Sequence, residues 1–304
     1  MAAPGPLPYR LRGRPFSVQD AQAAGVTEQR LRASDLDSPF PGVRTPAGTE
    51  PTFLDLCDAR QVRMDADQFY CHGTAARIHR LTLPRRLEGN DLHVAVLAPG
   101  RAPRGAGIIG HQVTLLGDSF LCIAGGLRAI DPVSTWLQLA ADLSVRELII
   151  LGDSLVRRQY PISTMDTLRR RVQGNRGQRG QRKVQAALRD VRAGTDSPRE
   201  TELRLEIVDA GYPEPQVNPK IFDSQAQLIG FGDLVYFEYK VLVEYDGDQH
   251  RTDPVQFGRD LTRQQELHDE DWIHLRISKY HWPNRRNVIN EHLGRALRSR
   301  GWRG

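Results

Sequence analysis

The residues of this sequence best suited to chemistry are three carboxylates within Phe231–Arg251, which reads FGDLVYFEYKVLVEYDGDQHR. Asp233 opens one short run rich in Val, Leu and Tyr, and Glu244 and Asp246 close a second. Side chains alternate between faces along a strand. Leu242, Glu244 and Asp246 therefore share one face of the second run, and Val241, Val243 and Tyr245 the other. Asp233 shares a face with Phe231 and Val235. With Phe237-Glu238-Tyr239 as a tight connection, the two runs read as a β-hairpin. Pairing that makes the faces coincide brings Asp233, Glu244 and Asp246 together. Same-face neighbours on a strand lie about 6.5–7 Å apart. Like charges held that close repel and raise each other's pKa unless a cation sits between them. Hard divalent cations take oxygen ligands, and Mg²⁺ is commonly held by one or two carboxylates with water and phosphate completing its shell. Mg²⁺ or Mn²⁺ is thus the expected cofactor. The alternative is a solvated strand face whose acids serve solubility.

An acid, a short hairpin and then acid-x-Lys is the signature of the PD-(D/E)xK, or restriction-endonuclease-like, nucleases. Asp233 and Glu244, ten residues between them, resemble it. The string VEYDGDQH, with DLTRQQELHDEDWIHLRIS behind it, is similar to a bacterial branch related to the very-short-patch-repair (Vsr) endonucleases. In that branch acid-x-acid-Gly-x-x-His replaces acid-x-Lys. The resemblance covers roughly residues 197–302. It implies an αβββαβα core and metal-dependent hydrolysis of DNA phosphodiesters, with Asp233 and Glu244 as metal ligands and Asp246 as a ligand or neighbour. Asp246 stands where the wider superfamily has Lys, which leaves Arg251 or Lys240 to supply the positive charge. Glu200 matches a glutamate that such nucleases often supply from the first helix, and a plain helix-capping role accounts for it equally.

Gly247 lets the backbone turn sharply after the acids. His250, just beyond, suits general acid–base work near neutral pH, or is a turn residue hydrogen-bonded to an acid. Arg263 on the following helix either pairs with an acid, Asp260 being its i,i+3 neighbour, or touches a phosphate.

Helices and strands must hold these groups in place. Ser197, Pro198 and Glu200 form a strong helix start, with Leu203 and Ile207 inward and Gly211 as the stop. Strands follow near 216–223, 229–236 and 240–246, then a helix over 253–270, a strand over 272–277 and a last helix over 284–300. Earlier in the chain, Ser17 and Thr27 cap two short helices broken at Gly25, and Val43-Arg44-Thr45 after Pro41-Gly42 suits a wing strand. This is a helix-turn-helix pattern in which Arg30 and Arg32 would meet DNA, or else a helical hairpin used for packing. The segment resembles the N-terminal winged helices of AbiEi-type antitoxins.

Between them, residues 51–156 alternate helices and short strands. His72, His79, His93 and His111 are dispersed there without metal-ligand spacing. Gly152-Asp153-Ser154-Leu155 spells the nucleophile block of GDSL esterases, and Asp271-x-x-His274 its partner block. The Gly89-Asn90-Asp91 block falls in the wrong order, so a strand or helix end packed in the middle domain is the better reading.

The net charge of +5 is unevenly spread: residues 157–196 hold 11 Lys/Arg against 3 Asp/Glu. A clustered basic stripe is the electrostatic footprint of nucleic-acid binding, which nominates Arg169, Arg170 and Arg171 as DNA contacts. Gly174–Gly180 reads as a hinge or solvated linker. Only four of 42 basic residues are Lys, a skew that GC-rich coding explains more simply than function. Three scattered cysteines imply neither a disulfide framework nor zinc. No apolar run reaches membrane-spanning length, and the N-terminal stretch lacks a signal-peptide core, so a cytoplasmic chain is expected.

The expected architecture is a multi-domain α/β protein: a winged helix-turn-helix unit over 1–50, an α/β region over 51–156, a basic helical linker over 157–196 and a nuclease-like domain over 197–304. The expected activity is Mg²⁺-dependent DNA cleavage. The alternative is a DNA-binding regulator of antitoxin type whose nuclease-like domain is inert.

Overall fold

The computed structural model describes residues 4–115, 118–247 and 254–304. The chain is mixed α/β and divides into two compact units, each drawing on more than one chain segment. One holds residues up to Asp142 together with Arg171–Gln181, the other Leu143–Arg170 and Arg182–Gly304. Among the described residues no helix is long and apolar enough to cross a membrane.

The N-terminal unit begins with β1 (Phe16–Ser17), α1 (Val18–Ala23), α2 (Glu28–Leu31), β2 (Leu36–Asp37) and β3 (Val43–Pro46). Ser17 Oγ accepts the Asp20 N–H at 2.9 Å and Thr27 Oγ1 the Arg30 N–H at 3.3 Å, so both helices start at the hydroxyls expected to cap them. β3 pairs antiparallel with both β1 and β2, and Leu11, Phe16, Ala21, Val26 and Leu31 fill the small core. Next come α3 (Phe53–Gln61), β4 (Gln68–Tyr70), α4 (His72–Ile78), β5 (Leu92–Leu97), β6 (Ile108–Val113), β7 (Leu121–Ala124), β8 (Leu127–Ile130) and α5 (Pro132–Leu139). The five strands form a mixed sheet in the order β6-β5-β4-β8-β7 over a core that includes Phe69, Tyr70, Leu92, Val94 and Ile130.

The C-terminal unit takes in α6 (Val145–Leu155). After α7 (Met165–Gly174) and α8 (Gln181–Asp190) come α9 (Pro198–Asp209), β9 (Gln216–Val217), β10 (Lys220–Phe222), β11 (Leu228–Phe231), β12 (Leu234–Tyr236), β13 (Val241–Asp246), α10 (Pro254–Asp269) and β14 (Ile273–Ser278). Its sheet runs β14-β13-β12-β9, with β13 and β14 parallel, while β10 and β11 pair separately. One face buries Leu234, Tyr236, Val241, Val243 and Ile277 against Leu203 and Ile207 of α9 and against Ile289, Leu293 and Leu297 near the C-terminus. The other face packs Val235 and Leu242 against Ile221 and Leu267. The alternation that put Glu244 beside Leu242 in sequence therefore puts it on the α10 side.

Two expectations change. Gly152–Leu155 is a helix end, one of the two forms expected, but it closes α6 of the C-terminal unit and is not part of a middle domain. The cause is Asp153, fully buried, which accepts from Arg204 Nη2 at 3.0 Å, Thr201 Oγ1 at 2.8 Å and the Arg192 N–H at 2.8 Å. Ser154 Oγ bonds back to the Leu151 carbonyl at 2.7 Å, as helical serines do, and is no nucleophile turn. Likewise residues 157–196, expected as a basic helical linker, do carry helices, but Leu168, Val172, Val184, Ala187 and Val191 are all buried, so the segment packs into the fold and does not merely link two parts of it.

Candidate active site

The hairpin β12–β13 pairs Leu234 with Val243 and Tyr236 with Val241, closed by a tight 3₁₀ turn over Phe237–Tyr239 and by Lys240 in the left-handed region at φ 48°. This register sets Asp233, just before β12, opposite the Glu244 end of β13. A Tyr245 N–H donates to Asp233 Oδ2 at 2.9 Å and fixes it.

Two further elements close the site. α9 begins at Ser197, whose hydroxyl accepts the Glu200 N–H at 3.2 Å, so its first turn presents Glu200. Glu200 is buried and accepts from the Asp196 N–H at 2.9 Å and Asn218 Nδ2 at 2.8 Å. The capping partner is thus Asp196, one residue before the N-cap Ser197. Asn218 also gives its backbone N–H to the Asp233 carbonyl at 2.9 Å, which ties the two acid-bearing segments together. From the other side, Arg263 of α10 forks onto Glu244 with contacts of 2.5 and 3.3 Å and donates to the Phe231 carbonyl at 2.7 Å. His274 Nε2 of β14 lies 2.7 Å from Glu244 Oε2, and Arg276 lies 3.1 Å from Asp246. Glu200, Asp233, Glu244 and Asp246 line one cavity of about 780 Å³ with Arg158, Arg263 and His274.

Neighbouring acids here carry opposite electrostatics. Burial, then the charges of Glu200 and Glu244, push the Asp233 carboxyl well above the usual carboxylate range. Burial also raises Glu200. Burial alone would raise Glu244 too, but hydrogen bonds from His274 and Arg263 outweigh it and hold the group at about 2. The site therefore offers one firmly ionised acid beside two that resist ionisation, an arrangement a cation relieves. All the donors are hard oxygens, which suits Mg²⁺ or Mn²⁺ and not a softer metal.

The other expected site residues are dispersed. Lys240 donates to the Glu270 carbonyl at 2.8 Å, at the end of β13 remote from Glu244, so it is not the missing motif cation. His250 and Arg251 lie outside the described residues. Arg30 is committed to Asp35 at 2.7 and 2.9 Å and to the Gly5 carbonyl, and Arg32 is exposed with Glu28 at 3.1 Å. Arg169 pairs with Asp166 at 2.8 Å and Arg170 reaches Thr167 at 3.3 Å, both on the surface. Arg171 differs: its side chain is 4% exposed and is bound to Asp131 at 3.1 Å, so it is a buried structural ion and not a DNA contact.

His274 was not among the expected site residues. Its signal was present, because Trp272, His274 and Arg276 alternate along a strand, but the parallel pairing of β14 with β13 joins segments that are distant in sequence. Its apparent role in an esterase block dissolves, since Asp271 pairs with Arg300 and His274 with Glu244.

No protein-family model matches the chain. An uncharacterised protein of Mycobacterium tuberculosis strain H37Rv, Rv2248, is 25% identical over 227 residues, covering 74% of this chain and 80% of that relative. Its counterpart in strain CDC 1551, MT2308, matches to the same extent. Among solved structures, the RV2827C protein of Mycobacterium tuberculosis is 13% identical with a TM-score of 0.40, covering 71% of this chain and 86% of that one. A likeness of that size constrains neither fold nor function.

Proposed function

We propose that the C-terminal unit is a metal-dependent DNA endonuclease of the PD-(D/E)xK, Vsr-like type, and that the α1–α2 and β1–β3 elements form a winged helix that directs it to DNA. The observation that carries the reading is the meeting of Asp233, Glu244 and Glu200 at one cavity, with the Asp233 carboxyl pushed well above the usual carboxylate range by burial and by the other two acids. Asp233 and Glu244 would hold Mg²⁺, with Glu200 behind them and Asp246 at the rim. When bound, the ion supplies a lowered pKa for its water and charge stabilisation at the scissile phosphate.

The chain's own groups do the rest. The Tyr245 N–H and the Asn218 segment fix Asp233, and His274 orients Glu244. Of the arginines that line the cavity, Arg263 is the one bound to Glu244, in the role the family gives to Lys. Its guanidinium is always charged and matches a phosphate as well as a carboxylate. Without a cation, the Asp233 carboxyl holds its proton to a higher pH than an ordinary aspartate does.

One observation favours the second reading, a DNA-binding regulator of AbiEi type with an inert nuclease-like domain. Glu244 is already neutralised by Arg263 and hydrogen-bonded to His274. A nicking assay on supercoiled, single-stranded and mismatched DNA with Mg²⁺ or Mn²⁺ separates the two. The endonuclease reading expects cleavage by the full chain, abolished in Asp233→Asn and Glu244→Gln, together with thermal stabilisation by millimolar metal as mass action requires. DNA binding without cleavage and without metal-induced stabilisation selects the regulator.

A further inference from the structure

The N-terminal unit carries a second cluster of metal-ligand side chains that the endonuclease reading does not use. Three adjacent strands supply it from one sheet face. Cys71 follows β4 directly and its N–H donates to the His93 carbonyl at 3.1 Å. β5 carries His93, and β6, parallel to β5, carries His111 opposite Ala95. Residues 93, 95, 109 and 111 share a face by alternation, so both histidines project alongside Cys71. His72 joins them as the first residue of α4. The rings of His72 and His111 stack with centroids 4.0 Å apart, and His93 Nδ1 lies 2.9 Å from His111 Nε2. One ligand atom each from Cys71, His72 and His111 lies within 4.8 Å of the others.

Three independent features mark this as a built site. His72 sits at φ 47°, a left-handed conformation that a residue with a Cβ adopts at a cost and that recurs at functional positions. Its Nδ1 is buried without a hydrogen-bond partner, although buried polar atoms are nearly always paired. The third is the cavity of about 410 Å³ that His72, His93 and His111 line with Gln138, Arg179 and Asn175, the last with its own buried and unpartnered Nδ2.

We propose that Cys71, His72 and His111 bind a zinc-class transition-metal ion, with His93 orienting His111 and the fourth coordination position open to the cavity. Thiolate and imidazole are the donors such ions select, and three protein ligands with one open position is the pattern of reactive zinc sites. Donors at the Zn–N and Zn–S distances of about 2.0–2.3 Å lie about 3.3–3.8 Å apart around a tetrahedral ion, so the ligand atoms, within 4.8 Å of one another, must draw together on binding and the stacked His72 and His111 rings must tilt until their lone pairs converge. A proton on His111 Nε2, donated to His93 Nδ1, frees His111 Nδ1 as the ligand, which is the outer-shell device that fixes metal-bound histidines.

The test loads the purified full chain with Zn²⁺ or Co²⁺, removes free metal by gel filtration, and measures bound metal and the Co²⁺ absorption spectrum. The expected result is one equivalent per chain, a thiolate-to-cobalt charge-transfer band and strong visible bands of four-coordinate cobalt. An Asp233→Asn, Glu244→Gln chain should behave identically, which separates this site from the acidic one. His72→Ala and His111→Ala should lose the equivalent, and Cys71→Ser the charge-transfer band. His93→Ala should weaken affinity about 10- to 100-fold, as loss of an orienting partner does. If a His→Ala chain fails to fold by circular dichroism, His111→Gln and the wild-type cobalt spectrum decide the matter. A wild-type chain that retains no metal, that shows no thiolate band, or whose bound equivalent survives in the folded His72 or His111 variant overturns the proposal.

Discussion

Asp233 and Glu244 face each other across a hairpin, yet their surroundings act on them in opposite directions. Glu244 is held near 2 against an ordinary 4.5. A depressed carboxylate stabilises the fold fully above its unfolded pKa, and that contribution disappears as pH falls from about 4.5 through 2. At neutral pH it amounts to about 3 kcal/mol. Asp233 is raised above its ordinary 3.8, so the stability it lends is fully present below that value and is lost as pH climbs through the raised pKa of the folded state. In metal-free buffer at pH 7, Glu244→Gln should therefore lower the urea midpoint, while Asp233→Asn should raise it or leave it unchanged. Millimolar Mg²⁺ should narrow the difference between Asp233→Asn and wild type, because the cation relieves the repulsion that the variant removes. Urea titrations of both variants with and without metal check this, and shifts of the same sign would refute the electrostatic account. Arg263→Lys keeps a charge but loses the fork onto Glu244, and should raise the pKa of Glu244, read by carboxylate NMR titration.

At the scale of elements, buried ions decide which helices belong together. Asp153 of α6 and Arg204 of α9 are both about 1% exposed. Asp153→Ala would leave a buried guanidinium short of its partner and should cost about 3–5 kcal/mol, whereas Asp153→Asn, which keeps an acceptor, should cost less. Equilibrium unfolding separates them, and a neutral Asp153→Ala would mean that α6 and α9 are held by apolar packing alone. The basic run on α7 splits in the same way. If the chain binds DNA as proposed, Arg169→Ala and Arg170→Ala should reduce the salt dependence of that binding, the log–log slope falling by up to about 0.9 for each phosphate no longer neutralised. Arg171→Ala should leave that slope alone and destabilise the protein, since it strips the partner from buried Asp131. The hairpin, its face assignment, the capped helices and the segment carrying β13 and β14 were all legible in the sequence, because local alternation and cap chemistry determine them. β4, three residues long, was not, since so short a strand shows no period. Arg171 read as a DNA contact because charge density along the sequence does not distinguish a solvated arginine from one that a distant aspartate has drawn inside. The three histidines looked scattered because strand pairing brings them together, and metal-ligand spacing in sequence detects only sites built from one local segment.

At the scale of the molecule, neither compact unit is one continuous stretch of chain, since Arg171–Gln181 belongs to the first unit and α6 to the second. A fragment of residues 197–304, the domain that composition alone delimits, omits α6, α8 and the buried partner of Arg204. It should be poorly soluble or show little dispersion in its amide NMR spectrum, while a fragment of residues 143–304 should give a cooperative unfolding transition. A short fragment as stable as the longer one would contradict this. The same pairing of α6 with α9 has a consequence for synthesis. Asp153 and Arg204 are 51 residues apart. At about 5–20 residues per second, the ribosome exposes α6 and its acid about 3 to 10 s before α9 emerges to cover it. During that interval the nascent chain carries an amphipathic helix whose α9 partner has yet to emerge, which makes α6 a stretch where a chaperone would help and a pause in translation would do harm.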